Sequence, residues 1–296
     1  MTLQEARHRG SRILQKSGIL EADLDAQLLL EHVTKVSLAM YYAMPEKAMT
    51  PEEEKKYFAY IDKRARHIPL QHITGTQEFM GLKFQVNEDV LIPRQDTEVL
   101  VEEALKLVEI SVKKKQGNVP TDKGMFRMLD MCTGSGCILL SILHYAGRFT
   151  EVQLEGTGVD ISEKALAVAS ANADTLHVPA EFFFSDLFER VTGHYQMIVS
   201  NPPYIRTDVI ETLQKEVRWH DPVLALDGKG DGLYFYRKII EASGRYLTKG
   251  GYLLFEIGAD QGESVAALMW HLGYRDVAVK KDLAGLDRVV IGVYDK

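Results

Sequence analysis

Met197-Ile198-Val199-Ser200-Asn201-Pro202-Pro203-Tyr204 is an apolar run that stops at two consecutive prolines. Proline donates no ladder hydrogen bond, so the run reads as a buried strand ending at the C-terminal edge of a sheet. That edge is where open α/β sheets bind ligands. With φ fixed at both prolines and no N–H on either, the turn can offer its carbonyl groups to an incoming ligand. Asn201 and the Pro202 carbonyl then form a rigid pair of acceptors. Such a pair suits a planar NH2 group, one hydrogen to each acceptor, with the Tyr204 ring available to cover its flat face. For an isolated Pro-Pro, an ordinary strand-to-loop exit is the better reading. The full tetrapeptide after an apolar strand is far more specific.

On either side of this stretch, strands alternate with helices. Phe126 to Met131, Val152 to Val159, Glu181 to Phe184, Gln196 to Ser200 and Tyr252 to Ile257 read as strands. Cys137 to Tyr145, Glu163 to Ala173, Val209 to Glu216, Leu233 to Leu247 and Gln261 to Leu272 read as helices. This alternation predicts a mainly parallel, doubly wound α/β sheet. Asp276 to Lys280 and Val289 to Val293 read as a closing β-hairpin that adds an antiparallel strand.

Residues 1–72 have a different pattern and are expected to form a small helical bundle. Thr2 and Glu5 are spaced as a capping box ahead of Leu3, Ala6, Ile13 and Leu14, and Gly18 can end that helix. Ala22 to Thr34 supplies a second helix, with Leu24, Leu28 and Leu29 as core candidates. A third starts at Thr50, with Pro51 at the first helical position and Glu53 at the third, and runs on to Tyr57, Phe58 and Ile61. Recognition of a partner and plain packing are equally good readings of such a bundle. From Leu70 through residues 73–88 the alternation of Ile73, Phe79, Leu82, Phe84 and Val86, with Gly75 and Gly81 as turn residues, reads as a hairpin linker. Residues 89–296 make the larger domain. It opens with a helix from Thr97 to Val112, which Asp96 or Thr97 can cap, and a charged solvated loop from Lys113 to Lys123.

Composition narrows the classes of function. The 296 residues are 46% hydrophobic and 26% charged, with a net charge of −7. The acidic excess lies in residues 73–296, so there is no basic footprint for nucleic acid. No run approaches the roughly 18 apolar residues of a membrane span, and no signal-peptide core opens the chain, so the expected location is cytoplasmic. The two cysteines, Cys132 and Cys137, match no zinc spacing with the scattered histidines and read as reduced and packed. No metal site is expected.

Three consecutive strand ends carry chemistry. Asp130-Met131-Cys132-Thr133-Gly134-Ser135-Gly136 opens directly into a helix, and its glycines let backbone approach a ligand. Gly134-Ser135-Gly136-Cys137-Ile138-Leu139 lacks the third glycine of the dinucleotide fingerprint. Asp160 ends the next strand roughly 24 residues after Gly136, where a carboxylate can accept both hydroxyls of a ribose. Ser185-Asp186-Leu187-Phe188 follows the third strand and can meet adenine through Asp186 and the backbone, with Leu187 against the ring. Capping or solvent exposure explains any one of these; all three together point to a nucleoside-bearing cofactor.

Asp130 to Gly136, Asp160 and Asn201 to Tyr204 together resemble the class I S-adenosylmethionine-dependent methyltransferases that act on planar nitrogens. More narrowly, Ile92-Pro93-Arg94-Gln95-Asp96-Thr97-Glu98, Phe255-Glu256-Ile257-Gly258 and Asp287-Arg288-Val289-Val290-Ile291-Gly292 are similar to the HemK/PrmC family, over nearly the whole chain. The resemblance implies a Rossmann-like catalytic domain and an N-terminal helical domain that recognises substrate. It implies S-adenosyl-L-methionine as cofactor and, as substrate, the glutamine side-chain amide in the Gly-Gly-Gln motif of class I peptide-chain release factors. Cys132, Thr133, Gly134, Ser135, Gly136, Asp160, Asp186, Leu187 and Asn201 would meet the cofactor. Asn201, Pro202, Pro203 and Tyr204 would meet the substrate, with Asn201, Pro202 and Tyr204 in the catalytic role. In three places the chain departs from the family pattern: Cys132 replaces a common glycine, Gln95 a usual proline, and Leu187 a frequent aromatic residue. None removes a group that the chemistry needs.

An amide nitrogen is a poor nucleophile because its lone pair is delocalised. Positioning by Asn201 and the Pro202 carbonyl should therefore dominate over acid/base catalysis, and neither Asp186 nor Glu256 is assigned as a base. Three other readings remain open. An adenine-N6 nucleic-acid methyltransferase uses the same tetrapeptide but fits poorly with the acidic balance. A glutamine methyltransferase of a ribosomal protein differs only in substrate. A noncatalytic cofactor-binding protein has no evident reason to retain Asn201 and Asp160.

Overall fold

The computed structural model describes residues 1–115, 125–148 and 152–295. These fall into two units: Met1–Thr76 with Gln214–His220, and Gln77–Leu213 with Asp221–Lys296.

In the first unit, helices α1 (Leu3–Lys16), α2 (Ala22–Thr34), α3 (Leu38–Ala43), α4 (Pro51–Ala65) and α5 (Leu70–Thr74) surround one apolar cluster. Both capping boxes close. Thr2 and Glu5, and likewise Thr50 and Glu53, exchange side chain-to-backbone bonds and satisfy donors that a helix start leaves free. Gly10 permits close helix contact, since a Cβ there would lie 2.2 Å from the Tyr57 hydroxyl oxygen. On α2 the inward residues are Ala22, Ala26, Leu29 and Leu30, whereas Leu24 and Leu28 are 50% and 38% exposed. This corrects the expected core: the inward stripe follows the two alanines, which allow neighbouring helices to approach, and the leucines one turn apart fall outside it. Two short helices, α3 and α5, carry no periodic signal long enough to read. Because of α5, Leu70 and Ile73 belong to a helix that Gly75 ends at φ +75°, and not to the expected hairpin. A buried ion pair, Arg64 Nε to Asp25 Oδ2 at 2.6 Å, continues to Glu216, which accepts from Arg64 Nη1 at 3.0 Å and meets His67 Nδ1 at 3.0 Å. Glu216 thus joins this cluster, although sequence pattern places its segment among the strands and helices of the larger domain.

The second unit opens with the hairpin β1 (Thr76–Phe79) and β2 (Leu82–Gln85). Its two-residue turn, Met80 and Gly81, has φ of +52° and +68°, as a twisted hairpin demands. Phe79 and Phe84 are fully buried in the same cluster as Leu100 and Leu139, so the hairpin is a packed part of this unit and more than a connector. A 3-10 turn at Gln95–Thr97 leads into α6 (Glu98–Lys115). Asp96 pairs with Arg288 at 3.3 Å. The helix runs three residues beyond Val112, into the lysines expected to begin a loop; residues 116–124 of that loop lie outside the described residues.

The remaining elements are β3 (Met125–Met131), α7 (Cys137–Ala146), β4 (Gln153–Asp160), α8 (Glu163–Leu176), β5 (Glu181–Phe184), β6 (Tyr195–Ser200), α9 (Thr207–Ile210), α10 (Lys215–His220), α11 (Val223–Leu226), α12 (Tyr234–Ser243), β7 (Leu247–Glu256), α13 (Gly262–His271), β8 (Tyr274–Lys281) and β9 (Asp287–Tyr294). The single helix expected from Val209 to Glu216 is instead two short ones, α9 and α10, because the turn Glu211–Gln214 interrupts the ladder.

The seven strands run β5-β4-β3-β6-β7-β9-β8. Neighbours are parallel from β5 to β7, and β9 is antiparallel to both β7 and β8. Apolar clusters cover both faces, which is why Leu129, Ile198 and Leu254 sit in continuous apolar runs without alternation. The order reverses beside β3, between β4 and β6. Such a switch point leaves a crevice at the C-terminal strand ends.

Candidate active site

After β3 the chain enters a five-residue loop in which every other residue has an unusual backbone. Cys132, Gly134 and Gly136 all take left-handed φ values of +61°, +55° and +76°. For Gly136 the reason is packing, since a Cβ would press within 3.2–3.3 Å of Ala169, Leu140 and Phe182. For Gly134 it is openness: a Cβ there would meet nothing within 4 Å, and the backbone stands bare to an approaching ligand. Cys132 adopts the same conformation at a cost of about 1–2 kcal/mol, and this gives a physical reason why glycine suits that position.

The loop is held from beneath. Thr133 Oγ1 donates to Asp130 Oδ2 at 2.6 Å, its N–H reaches the Val159 carbonyl at 3.0 Å, and Asn172 Nδ2 donates to the Ser135 carbonyl at 2.9 Å. Asn172 also pairs with both backbone groups of Gln85. It is a structural pin with no sequence motif to announce it. Asp130 is fully buried with Oδ1 unpartnered, and burial pushes its carboxyl up to about 7.

The next two strand ends converge on the same crevice. At the end of β4, Asp160 Oδ2 accepts from the Gly134 N–H and Oδ1 from the Ser162 N–H, both at 2.9 Å. Burial raises its pKa, and these backbone donors pull it back. Each oxygen keeps a further lone pair for a ligand. At the end of β5, the Ser185 N–H bonds the Asp160 carbonyl, while the Ser185 hydroxyl donates to the Leu187 carbonyl and fixes Leu187 at φ +47°.

Strand β6 delivers the fourth group. Ser200 Oγ donates to the Met131 carbonyl at 2.6 Å and ties this strand end to the end of β3. Asn201 and Pro203 line one cavity with Cys132, Thr133, Gly134, Ser135, Asp160, Asp186 and Leu187. Gly136, Pro202 and Tyr204 are not part of that wall. Pro202 is buried, and Tyr204 turns its hydroxyl toward Glu256 Oε1 at 3.4 Å.

Other wall residues were not assigned from sequence. Arg94 faces the cavity, with Nη2 donating at 2.7 Å to Asp221, whose side chain is wholly buried. Burial pushes the Asp221 carboxyl up to about 6 against the pull of Arg94. Leu224 and Phe235 add apolar surface from α11 and α12. Arg94 stood inside a visible motif. Leu224 and Phe235 had no local signal, since only the fold brings them to the crevice.

Comparison with known proteins places this arrangement. Residues 5–75 match the PrmC N-terminal domain and residues 118–220 the methyltransferase small domain. A release factor glutamine methyltransferase of Agrobacterium fabrum is 40% identical over 94% of this chain and 92% of its own length. The chain belongs to the release factor glutamine methyltransferases. Another member, from Clostridium botulinum, is 36% identical over 98% of both chains. Among solved structures, the hMettl16 catalytic domain is 13% identical and superposes with a TM-score of 0.54, covering 83% of each chain. It shares the fold. The chain thus carries a methyltransferase domain, and its crevice at the switch point is the place where that chemistry is to be sought.

Proposed function

We propose that this chain transfers a methyl group from S-adenosyl-L-methionine to the side-chain amide nitrogen of the glutamine in the Gly-Gly-Gln motif of class I peptide-chain release factors. The observation that carries the reading is the meeting of Asn201 with Gly134, Asp160, Asp186 and Leu187 around one cavity. A hydrogen-bond acceptor suited to a planar amide and a set of groups suited to a nucleoside share a wall. The names of the relatives support the substrate, and the acidic net charge of −7 fits a protein acceptor better than a nucleic acid.

The residues present fit the cofactor. Asp160, already fixed by two backbone donors, has lone pairs left for the ribose hydroxyls; Asp186 and Leu187 suit adenine; bare backbone at Gly134 allows close approach. When bound, the cofactor supplies a methyl group on a positively charged sulfur. The protein supplies orientation. Asn201 Oδ1 and the Pro202 carbonyl accept the two amide hydrogens, hold the nitrogen in line and favour positive charge on it as the bond forms. The N-alkylated amide is strongly acidic, so its proton leaves to solvent without a dedicated base. Glu256, 3% exposed and turned to Tyr204, is not placed to take it. Since its partner works in translation, the enzyme is assigned to the cytoplasm. Among the described residues no helix is long and apolar enough to cross a membrane.

Labelled methyl transfer tests the reading. Purified enzyme is given labelled S-adenosylmethionine with an unmodified release factor, the same factor with Gly-Gly-Ala, a ribosomal-protein fraction, or duplex DNA. Label on the intact release factor alone is expected. Equal label on the Gly-Gly-Ala factor, or label on DNA or ribosomal protein instead, overturns it.

A further inference from the structure

Tyr204 is gripped from several sides by groups that have no part in the cofactor crevice. Gln261 Nε2 donates to the Tyr204 carbonyl at 3.0 Å, and Gln261 is itself held by the Gly258 N–H on Oε1 at 2.9 Å. The Tyr204 hydroxyl points to Glu256 Oε1. Two glycines let the 228–232 loop close on its backbone: a Cβ at Gly228 would lie 2.6 Å from Tyr204 Cα, and one at Gly232 2.5 Å from its carbonyl oxygen.

The strand register explains why Glu256 stands there. Ser200 pairs with Phe255, so Glu256 ends β7 level with Asn201 at the end of β6. Its Oε2 is buried with no partner. The groups facing it are Tyr204 from the loop after β6, Asp96 and Thr97 from the turn before α6, Cys137 on α7, Tyr236 on α12 and Arg288 on β9. Arg288 is already engaged by Asp282 at 3.0 Å and Asp96 at 3.3 Å, and it makes no direct ion pair with Glu256. A buried acid whose facing cation, Arg288, is engaged elsewhere is costly to keep ionised.

We propose that Glu256 and Gln261 are positioning residues for methyl transfer: they clamp Tyr204 by its hydroxyl and its carbonyl, and so fix the aim of the acceptor loop Asn201 to Tyr204. This rests on the proposed acceptor role of that loop. Burial pushes the Glu256 carboxyl up to about 7 and keeps Tyr204 protonated, so the O–H donates to a carboxylate above neutrality and to a weaker, neutral acceptor below it. Transfer should slow on the acid side with a midpoint near 7.

Single-turnover rates and cofactor affinities of the full chain, Glu256→Gln, Gln261→Ala, Tyr204→Phe and the Glu256→Gln/Tyr204→Phe double variant test this. Glu256→Gln and Tyr204→Phe, which weaken or remove a long hydrogen bond to a carboxylate, and Gln261→Ala, which removes a neutral one, are each expected to slow transfer by roughly three- to tenfold, with cofactor affinity within about twofold. The double variant should be no slower than the slower single, and Glu256→Gln should abolish the acid limb. Additive losses, a limb that survives in Glu256→Gln, or losses confined to cofactor affinity would overturn the clamp. A second readout needs no acceptor. In protein made with 3-fluorotyrosine, the Tyr204 fluorine resonance, identified by its absence in Tyr204→Phe, should shift with pH near 7 and stay flat in Glu256→Gln. If the release factor takes no label, the functional reading fails, while a flat wild-type resonance still decides against the clamp.

Discussion

The two flanks of the crevice are built on different principles. On the β3-β4-β5 flank the cavity is lined by the bare backbone of Gly134 and by Asp160, whose carboxylate is fixed by two main-chain N–H donors. On the β6-β7 flank the facing groups belong to a proline-stiffened loop whose aim depends on side chains behind it, Ser200, Glu256 and Gln261. The contrast matches two tasks. A cofactor of fixed shape is served by a rigid cradle, while an acceptor that must be aligned with a methyl group is served by a loop with adjustable supports. Binding and turnover should therefore separate between the flanks.

Asn201→Ala is the strongest way to break that separation. It removes one of the two proposed acceptors of the amide hydrogens, and the expected loss in kcat is on the order of 100- to 1000-fold, with the Kd for S-adenosylmethionine changed less than about threefold. Calorimetric titration beside single-turnover kinetics checks both, and near-normal turnover would end the acceptor-pair account. The converse variant, Asp160→Ala, should raise that Kd by roughly 10- to 100-fold, the scale of one or two hydrogen bonds to a carboxylate, while kcat at saturation stays within about fivefold. A variant that lost turnover without losing affinity would place Asp160 on the wrong flank.

Beneath the cradle, Asp130 gives a stability test. Its carboxyl is raised by burial to about 7, well above the roughly 3.9 of an unfolded chain. The folded state therefore binds the proton more tightly. The stabilisation is fully present below about pH 4 and is lost as pH rises through 7. Urea midpoints measured across that window should fall with pH in the wild type and fall less in Asp130→Asn. An unchanged slope would move the titration to another group. The smallest effect is at Cys132, where Cys132→Gly relieves a left-handed φ but loosens the unfolded chain, and a gain of about 1 kcal/mol or less is expected by the same measurement. A loss of that size would mean that thiol packing outweighs backbone strain.

What the sequence made legible follows the same division. Strand ends announced themselves because the runs stop at Met131, Asp160 and Ser200, and two helix starts in the N-terminal unit did so through Thr2/Glu5 and Thr50/Glu53. Local chemistry decided those features, so a local pattern could reveal them. Asn172, Arg94, Phe235 and Gln261 act through partners far along the chain, and no spacing rule connects Gln261 with the Tyr204 carbonyl. Leu24 and Leu28 misled for a related reason. On α2 the alanines, which give little hydrophobic signal, mark the inward face.

The most direct test of the central claim is to find which atom receives the methyl group. Release factor methylated by this enzyme would be digested, and the Gly-Gly-Gln peptide examined by tandem mass spectrometry and by NMR of a 13C-methyl label. A methyl group on the side-chain amide nitrogen of that glutamine, greatly diminished with Asn201→Ala, is the expected result. A methyl group on a backbone nitrogen, a lysine or any residue outside the motif would contradict an acceptor site built for a planar amide at the end of β6.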